Sequence, residues 1–222
     1  MIETLVAGDS ADPLDYRDGW ELQRRLHAEI VAGERPSTLV LCEHASVYTA
    51  GKRTEAHERP DDGSPVVDVD RGGRITWHGP GQLVGYPIVR LREPVDVVAY
   101  VRSLEGALIA VLSDLGVEGV RVDGRSGVWI RRATGADKIA AIGIRVAGGV
   151  TMHGFALNVS NSLEPYSRIV ACGIADAGVT TIERERGSAP SMAVVRARVL
   201  ARFSEAAPAF AAPAIASEGV AA

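Results

Sequence analysis

The sequence predicts an α+β fold in a single domain, and three observations predict it. Stretches with helical apolar spacing and short β-branched runs follow one another as helix, strands, helix, strands, helix, without the regular alternation of a doubly wound sheet. The 222 residues are 46% hydrophobic and 23% charged, as in ordinary folded globular chains. No linker and no internal repeat divides the chain. One domain over residues 1–206 is therefore expected, followed by an Ala- and Pro-rich tail, residues 207–222. Pro208 and Pro213 keep that tail from continuing as helix, and it is expected to be disordered.

The elements follow in order. After Asp15, Trp20, Leu26 and Ile30 recur near helical spacing until Gly33 and Pro36 stop them, which predicts a first helix. The apolar run 39–42 (LVLC) and the β-branched piece 46–49 (SVYT) predict strands. Residues 51–63 are charged or turn-forming and read as a long loop. Residues 65–69 and 83–89 read as strands flanking the glycine-rich stretch 71–82. Asp96 is a good N-cap for a helix whose face carries Val97, Val101, Leu104, Leu108, Val111, Leu112 and Leu115, with Gly116 ending it. Strands are then expected over 117–122, 127–130, 139–146 and 150–159, and a last helix from about residue 191 to 206.

Charge and cysteine content remove several function classes. The formal net charge is -4, so no excess of positive charge exists to neutralise a nucleic-acid backbone. Two cysteines, Cys42 and Cys172, cannot form a disulfide framework, and a cytoplasmic setting fits. The start MIETL has no basic stretch leading into an apolar one, and no apolar run approaches the ~18 residues of a membrane span. No C-x-x-C or H-E-x-x-H spacing occurs, so no metal site is expected from the histidines.

Two residues stand out as reactive. Cys172 precedes Gly173, which leaves its sulfur unshielded on one side, whereas Cys42 sits within an apolar run as a small buried hydrophobe. A thiol needs a neighbouring charge or proton acceptor to ionise at neutral pH. Lysine is rare here: of the 24 basic residues only Lys52 and Lys138 are lysines, so 24 − 2 = 22 are arginines. Lys138 heads an apolar run whose burial favours the neutral amine, the form that accepts a proton; an arginine cannot do this. The stretch RGGRITWHGPGQ, residues 71–82, could cradle a ligand, with Arg71 and Arg74 available to an anionic group. It has neither dinucleotide nor P-loop spacing.

Four blocks together resemble the lipoyl/octanoyl transferases of lipoate biosynthesis. They are residues 43–51 (EHASVYTAG), the RGG-x-x-T-x-HGPGQ block at 71–82, residues 138–143 leading to 153–158 (HGFALN), and 171–173 (ACG). The resemblance implies the fold shared by biotin and lipoate protein ligases. It implies Cys172 as the acyl-thioester nucleophile and Lys138 as the residue that lowers its pKa and shuttles protons. It implies an acyl pocket lined by Arg71, Gly72, Gly73, Arg74, Ile75, Thr76, Trp77 and His78, by Ala141, Ile142 and Gly143, and by Gly154, Phe155 and Ala156. The donor would be octanoyl-acyl carrier protein, and the acceptors lysines of lipoyl domains of 2-oxoacid dehydrogenase complexes and of the glycine cleavage H protein, with no cofactor. Arg131, Arg132 and Arg145 are candidates for docking the acidic carrier. The chain departs from the family pattern at Ala171, where proline is usual, and at residues 161–163 (NSL), which lack the acidic residue often found before that leucine. The alternatives are an ATP-dependent lipoate or biotin-type ligase, a hydrolase using the same Cys/Lys pair, and a non-catalytic acyl or carrier-protein binder.

Overall fold

The Asp15 carboxylate accepts hydrogen bonds from the backbone N–H of Arg17 and Asp18, opening α1 (Tyr16–Ala32), which ends at Gly33 in a left-handed conformation. The structure is a computed structural model and describes residues 2–169 and 177–213. Seven strands form the main sheet: β1 (Glu3–Val6), β2 (Thr38–Cys42), β6 (Gln82–Ile88), β10 (Val150–Asn158), β9 (Ala136–Ala147), β8 (Arg125–Arg131) and β7 (Val120–Val122), in that spatial order. Among the described strand pairs of this main sheet, β1–β2 alone is parallel. A second sheet has the order β4 (Val66–Asp68), β3 (Val47–Ala50), β5 (Thr76–His78).

Alternation along the strands decides what each face buries. Leu39 and Leu41 of β2 and Leu83 of β6 enter one core with α2 (Val97–Asp114) and α4 (Met192–Ala206). Val40, Cys42, Val84, Tyr86 and Ile88 enter a second core beneath Leu26 and Ile30 of α1. The sheet is thus covered on both faces. The small sheet meets the α1 side, where His78 stacks on Tyr16 with ring centroids 5.9 Å apart.

The predicted α2 is capped by Asp96, which accepts from the backbone N–H of Ala99. Its buried face runs through Tyr100, Leu104, Glu105, Leu108, Val111 and Leu112, while Val97, expected on that face, is 42% exposed in the helix's first turn. Among the described residues, two strands and one α-helix were not legible beforehand. They are β1, β5 inside the glycine-rich stretch, and the five-residue α3 (Ile182–Arg186), capped by Thr181.

The expectation of a disordered tail from residue 207 is corrected for residues 207–213. A 3-10 turn (Ala207–Ala209) follows α4, Phe210 is buried, and its ring packs edge-on against Tyr100 and Phe203. Leu91 bridges to Ala211, and Ala212 donates to the Arg90 carbonyl. An aromatic ring embedded among other rings outweighs the breaking effect of the prolines. Residues 214–222 lie outside the described residues.

Candidate active site

A cavity of about 240 Å³ opens between the α1 face of the main sheet and the loops of the small sheet. Its walls include Lys138, Ala141, Ile142 and Gly143 from β9, and Gly154, Phe155 and Ala156 from β10. Arg71, Gly73, Arg74, Thr76 and His78 from the glycine-rich stretch face them. Twelve of the residues expected at the site therefore converge on one space. Gly72, Ile75 and Trp77 do not line it. Strand alternation explains two of these: Thr76 and His78 of β5 face the cavity, while fully buried Ile75 and nearly buried Trp77 pack with Tyr48 on the other side. The Trp77 indole donates to the Ser46 hydroxyl at 2.9 Å and meets the Tyr166 ring edge-on.

Lys138 reaches the cavity through a β-bulge. Val128 pairs with Ala140 but the next residue, Trp129, pairs with Lys138, so Ile139 is an extra residue in β9. Ile139 and Ala140 consequently both enter the α2/α4 core, and Lys138 shares the cavity face with Ala141. In an unbroken strand Lys138 would point with Ala140 into that core. The ammonium lies 4.5 Å from the centre of the Trp129 ring, and the residue is 8% exposed. Its backbone is held on the other edge as well: Lys138 N–H donates to the Gly178 carbonyl and its own carbonyl accepts from Thr180 N–H.

A smaller recess shares Thr76, Lys138, Ala141 and Ala156 with the cavity and is otherwise walled by Tyr166 and by residues 177–179, among others. These residues flank the stretch that carries the second cysteine. The Tyr166 hydroxyl accepts from the Gln82 amide at 2.9 Å. Cys172, with Ala171 and Gly173, lies outside the described residues. Cys42 is fully buried, and burial pushes its thiol well up.

Arg71 does not serve as a loose anion receptor. Its guanidinium donates to the carbonyls of Gly72, Arg74 and Thr49 and to the Thr49 hydroxyl, so it ties the glycine-rich loop to β3. Small residues permit that closeness. A Cβ at Gly51 would stand 2.6 Å from the Gly73 carbonyl oxygen, and one at Gly143 would stand 3.0 Å from Arg71 Cδ. Arg74 is paired with Glu55 and with buried Glu58.

The histidines at the inner part of the cavity are buried and neutral. His78 Nδ1 donates to Gln82 Oε1 at 2.8 Å, and burial, with His44 beside it, pushes its pKa down to about 3. His153 has a positive φ of 59°, which turns it out of the strand alternation toward the cavity and α1, where its N–H donates to Gln23. Burial pushes its pKa down to about 4, so the neutral ring donates from Nε2 to Asp70 at 2.7 Å. Burial raises the Asp70 pKa, and the His153 hydrogen bond and the Arg145 guanidinium more than offset this, leaving it below the usual carboxylate value. Tyr16, Val84 and Tyr86 complete this region and were not found from sequence. Burial pushes the Tyr16 hydroxyl up to about 12. Tyr86 donates to His44 Nε2 at 2.6 Å, since Nδ1 of that ring donates to the Leu14 carbonyl. Only the aromatic character of positions 16 and 86 marks them in the sequence.

Residues 15–204 match the model of the lipoyl protein ligase A/B catalytic domain. The chain belongs to that family. Within it, the chain is 66% identical over 189 residues to an octanoyltransferase of Leifsonia xyli subsp. xyli, covering 84% of each chain. It is 63% identical over 193 residues to an octanoyltransferase of Clavibacter sepedonicus, covering 84% of this chain and 83% of the other. The fold is shared with solved structures. The bipartite lipoate protein ligase of Thermoplasma acidophilum superposes with a TM-score of 0.69 at 18% identity, over 92% of this chain and 83% of that one. Biotin protein ligase from Aquifex aeolicus, in complex with biotin and ATP, superposes with a TM-score of 0.51 at 17% identity, over 92% and 69%. The expected α+β ligase-type fold is the observed one.

Proposed function

We propose that this family member is an octanoyltransferase that moves an octanoyl group from a carrier thioester, through a thioester on Cys172, to a lysine amine of a lipoyl domain. The observation that carries the reading is Lys138. One of only two lysines, it is placed by a bulge on the wall of the cavity whose recess is bounded by the residues flanking the Cys172 stretch. The 66% identity to a relative of that name supports the same activity.

In the first half-reaction Lys138 takes the Cys172 proton, the thiolate attacks the octanoyl thioester, and the carbon–sulfur bond to the carrier breaks as Lys138 returns the proton to the departing thiol. In the second, the acceptor amine attacks the enzyme thioester and gives a proton to Lys138, which passes it to the Cys172 sulfur as that bond breaks. Exchange between sulfurs is nearly isoenergetic, and amide formation drives the second half. The donor is already activated, so ATP is not consumed. The acyl chain lies along β9 and β10, against Ala141, Gly143, Gly154 and Ala156, toward Tyr16 and His78.

The donor is octanoyl-acyl carrier protein. The acceptors are the lipoyl domains of 2-oxoacid dehydrogenase complexes and the glycine cleavage H protein. A cytoplasmic setting keeps the thiol reduced. Two arginines expected to dock the carrier are committed elsewhere: Arg132 pairs with Asp137 and Glu185, and Arg145 pairs with Asp70.

The test is intact mass after mixing with octanoyl carrier protein. A hydroxylamine-labile octanoyl adduct is expected on wild type and on Cys42→Ala, and none on Cys172→Ala. Acyl on Cys42, or transfer continuing with no adduct, overturns the mechanism. A strict ATP requirement with free octanoate as donor moves the protein to the ligase class.

A further inference from the structure

Lys138 faces the cavity because of one extra residue in β9, and the bulge has its own support. Gly127 of β8 has φ 103°, and a Cβ there would stand 2.4 Å from the Ala140 carbonyl oxygen and 3.6 Å from Lys138 Cε. Its missing side chain is the space into which the bulged backbone turns. Gly127 is held in turn. Its N–H donates at 3.0 Å to Oε1 of Glu105, a carboxylate wholly buried on α2. The other oxygen of Glu105 accepts from Arg102 at 2.8 Å and from Arg121 at 3.1 Å. A helix carboxylate thus grips a strand glycine through a charge-assisted hydrogen bond, and the glycine abuts the bulge and the Lys138 stem.

We infer that Glu105, acting through Gly127, is a positioning residue for Lys138: it fixes the bulge that turns the ammonium onto the Trp129 ring and into the cavity. The inference rests on the reading of Lys138 as the proton carrier of the transfer. Without the Glu105 anchor, β8 relaxes at Gly127, the bulge loses its register, and the amine moves from its place. Displacement of a reacting group by about 1 Å costs roughly 10²-fold in rate without touching substrate binding.

The small number of lysines makes the amine directly visible. Lysine selectively labelled with carbon-13 at Cε gives two side-chain signals in the full-length protein, from exposed Lys52 and from Lys138, and Lys52→Arg assigns them. The ring current of Trp129 moves the Lys138 signal upfield. In Glu105→Ala that signal is expected to move toward the Lys52 position while kcat falls roughly 10²-fold and KM for donor and acceptor is unchanged. Glu105→Gln keeps an acceptor oxygen for the Gly127 N–H, so it is expected to return the signal and restore most of the turnover. Gly127→Ala, whose Cβ collides with the Ala140 carbonyl, is expected to displace the same signal and gives a second route if Glu105→Ala folds poorly. A Lys138 signal unmoved in Glu105→Ala and Gly127→Ala overturns the positioning role. A signal that moves while turnover per folded molecule stays normal overturns the catalytic reading of Lys138 instead.

Discussion

The Lys138 ammonium rests 4.5 Å from the centre of the Trp129 indole, its cross-strand partner at the bulge. The ring face attracts the charged amine and gives it a fixed place. Lys138→Arg keeps the charge but cannot exchange a proton near neutral pH. Its turnover is expected to fall by ~10²-fold or more, with alkylation of Cys172 affected less. Steady-state transfer beside alkylation rate against pH measures both. Near-normal turnover in Lys138→Arg rejects the proton-transfer role, and near-normal turnover in Lys138→Ala removes the residue from the site.

The two thiols should differ sharply in reactivity. Cys42 is fully buried with its sulfur 3.5 Å from His44 Nε2, and burial opposes its ionisation. One equivalent of iodoacetamide is expected to react with the native protein at Cys172, and two after denaturation. Peptide mass mapping that finds native Cys42 alkylated first would contradict the assignment.

Acid should destabilise the protein at an unusually high pH for a chain with many paired carboxylates. His44, His78 and His153 are all buried neutral, with folded pKa values below the unfolded value of ~6.5. Between those values the unfolded chain binds more protons. The stability these rings contribute is therefore complete above pH ~6.5 and is lost as pH falls toward about 4, where His153 begins to protonate in place. His153 alone accounts for roughly 3 kcal/mol of that loss. Urea midpoints between pH 7.5 and 4.5 follow it, and a flat profile would refute the burial of these rings.

Arg71→Lys should cost both stability and acyl binding. A lysine offers a point charge where the guanidinium spans the Thr49, Gly72 and Arg74 acceptors, leaving buried carbonyls unpaired at ~1–3 kcal/mol. A lowered Tm together with a raised KM for the octanoyl donor is expected. An unchanged Tm would show that the loop is held by other contacts.

The three long helices and most strands were legible because their signals are local. Asp96 caps α2 as its side chain suggested, and Asp15 and Ser191, where the other helical stretches begin, cap α1 and α4. The convergence of 138–143, 153–156 and 71–78 came from the resemblance, since no spacing rule joins strands so far apart in sequence. What stayed hidden depends on departures from regular strand geometry. The alternation rule would send Lys138 into the core and keep His153 on the opposite face; a bulge reverses the first and a positive φ the second. Ile75 and Trp77 were misplaced for the same reason in reverse, because β5 was read as loop and its alternation was not applied. Phe210 was lost because a short Ala/Pro-rich stretch gives no periodic signal, although one ring suffices to anchor it.

An enzyme that hands acyl groups to ε-amines is exposed to acylating itself. Here Lys138 lies inside the cavity against the Trp129 ring, and Lys52 is the one ε-amine at the surface. The other 22 basic side chains are guanidinium groups, which remain protonated and do not act as nucleophiles at neutral pH. Stray acylation of surface ε-amines is thereby confined to Lys52, a single position that a mass spectrum reads at once.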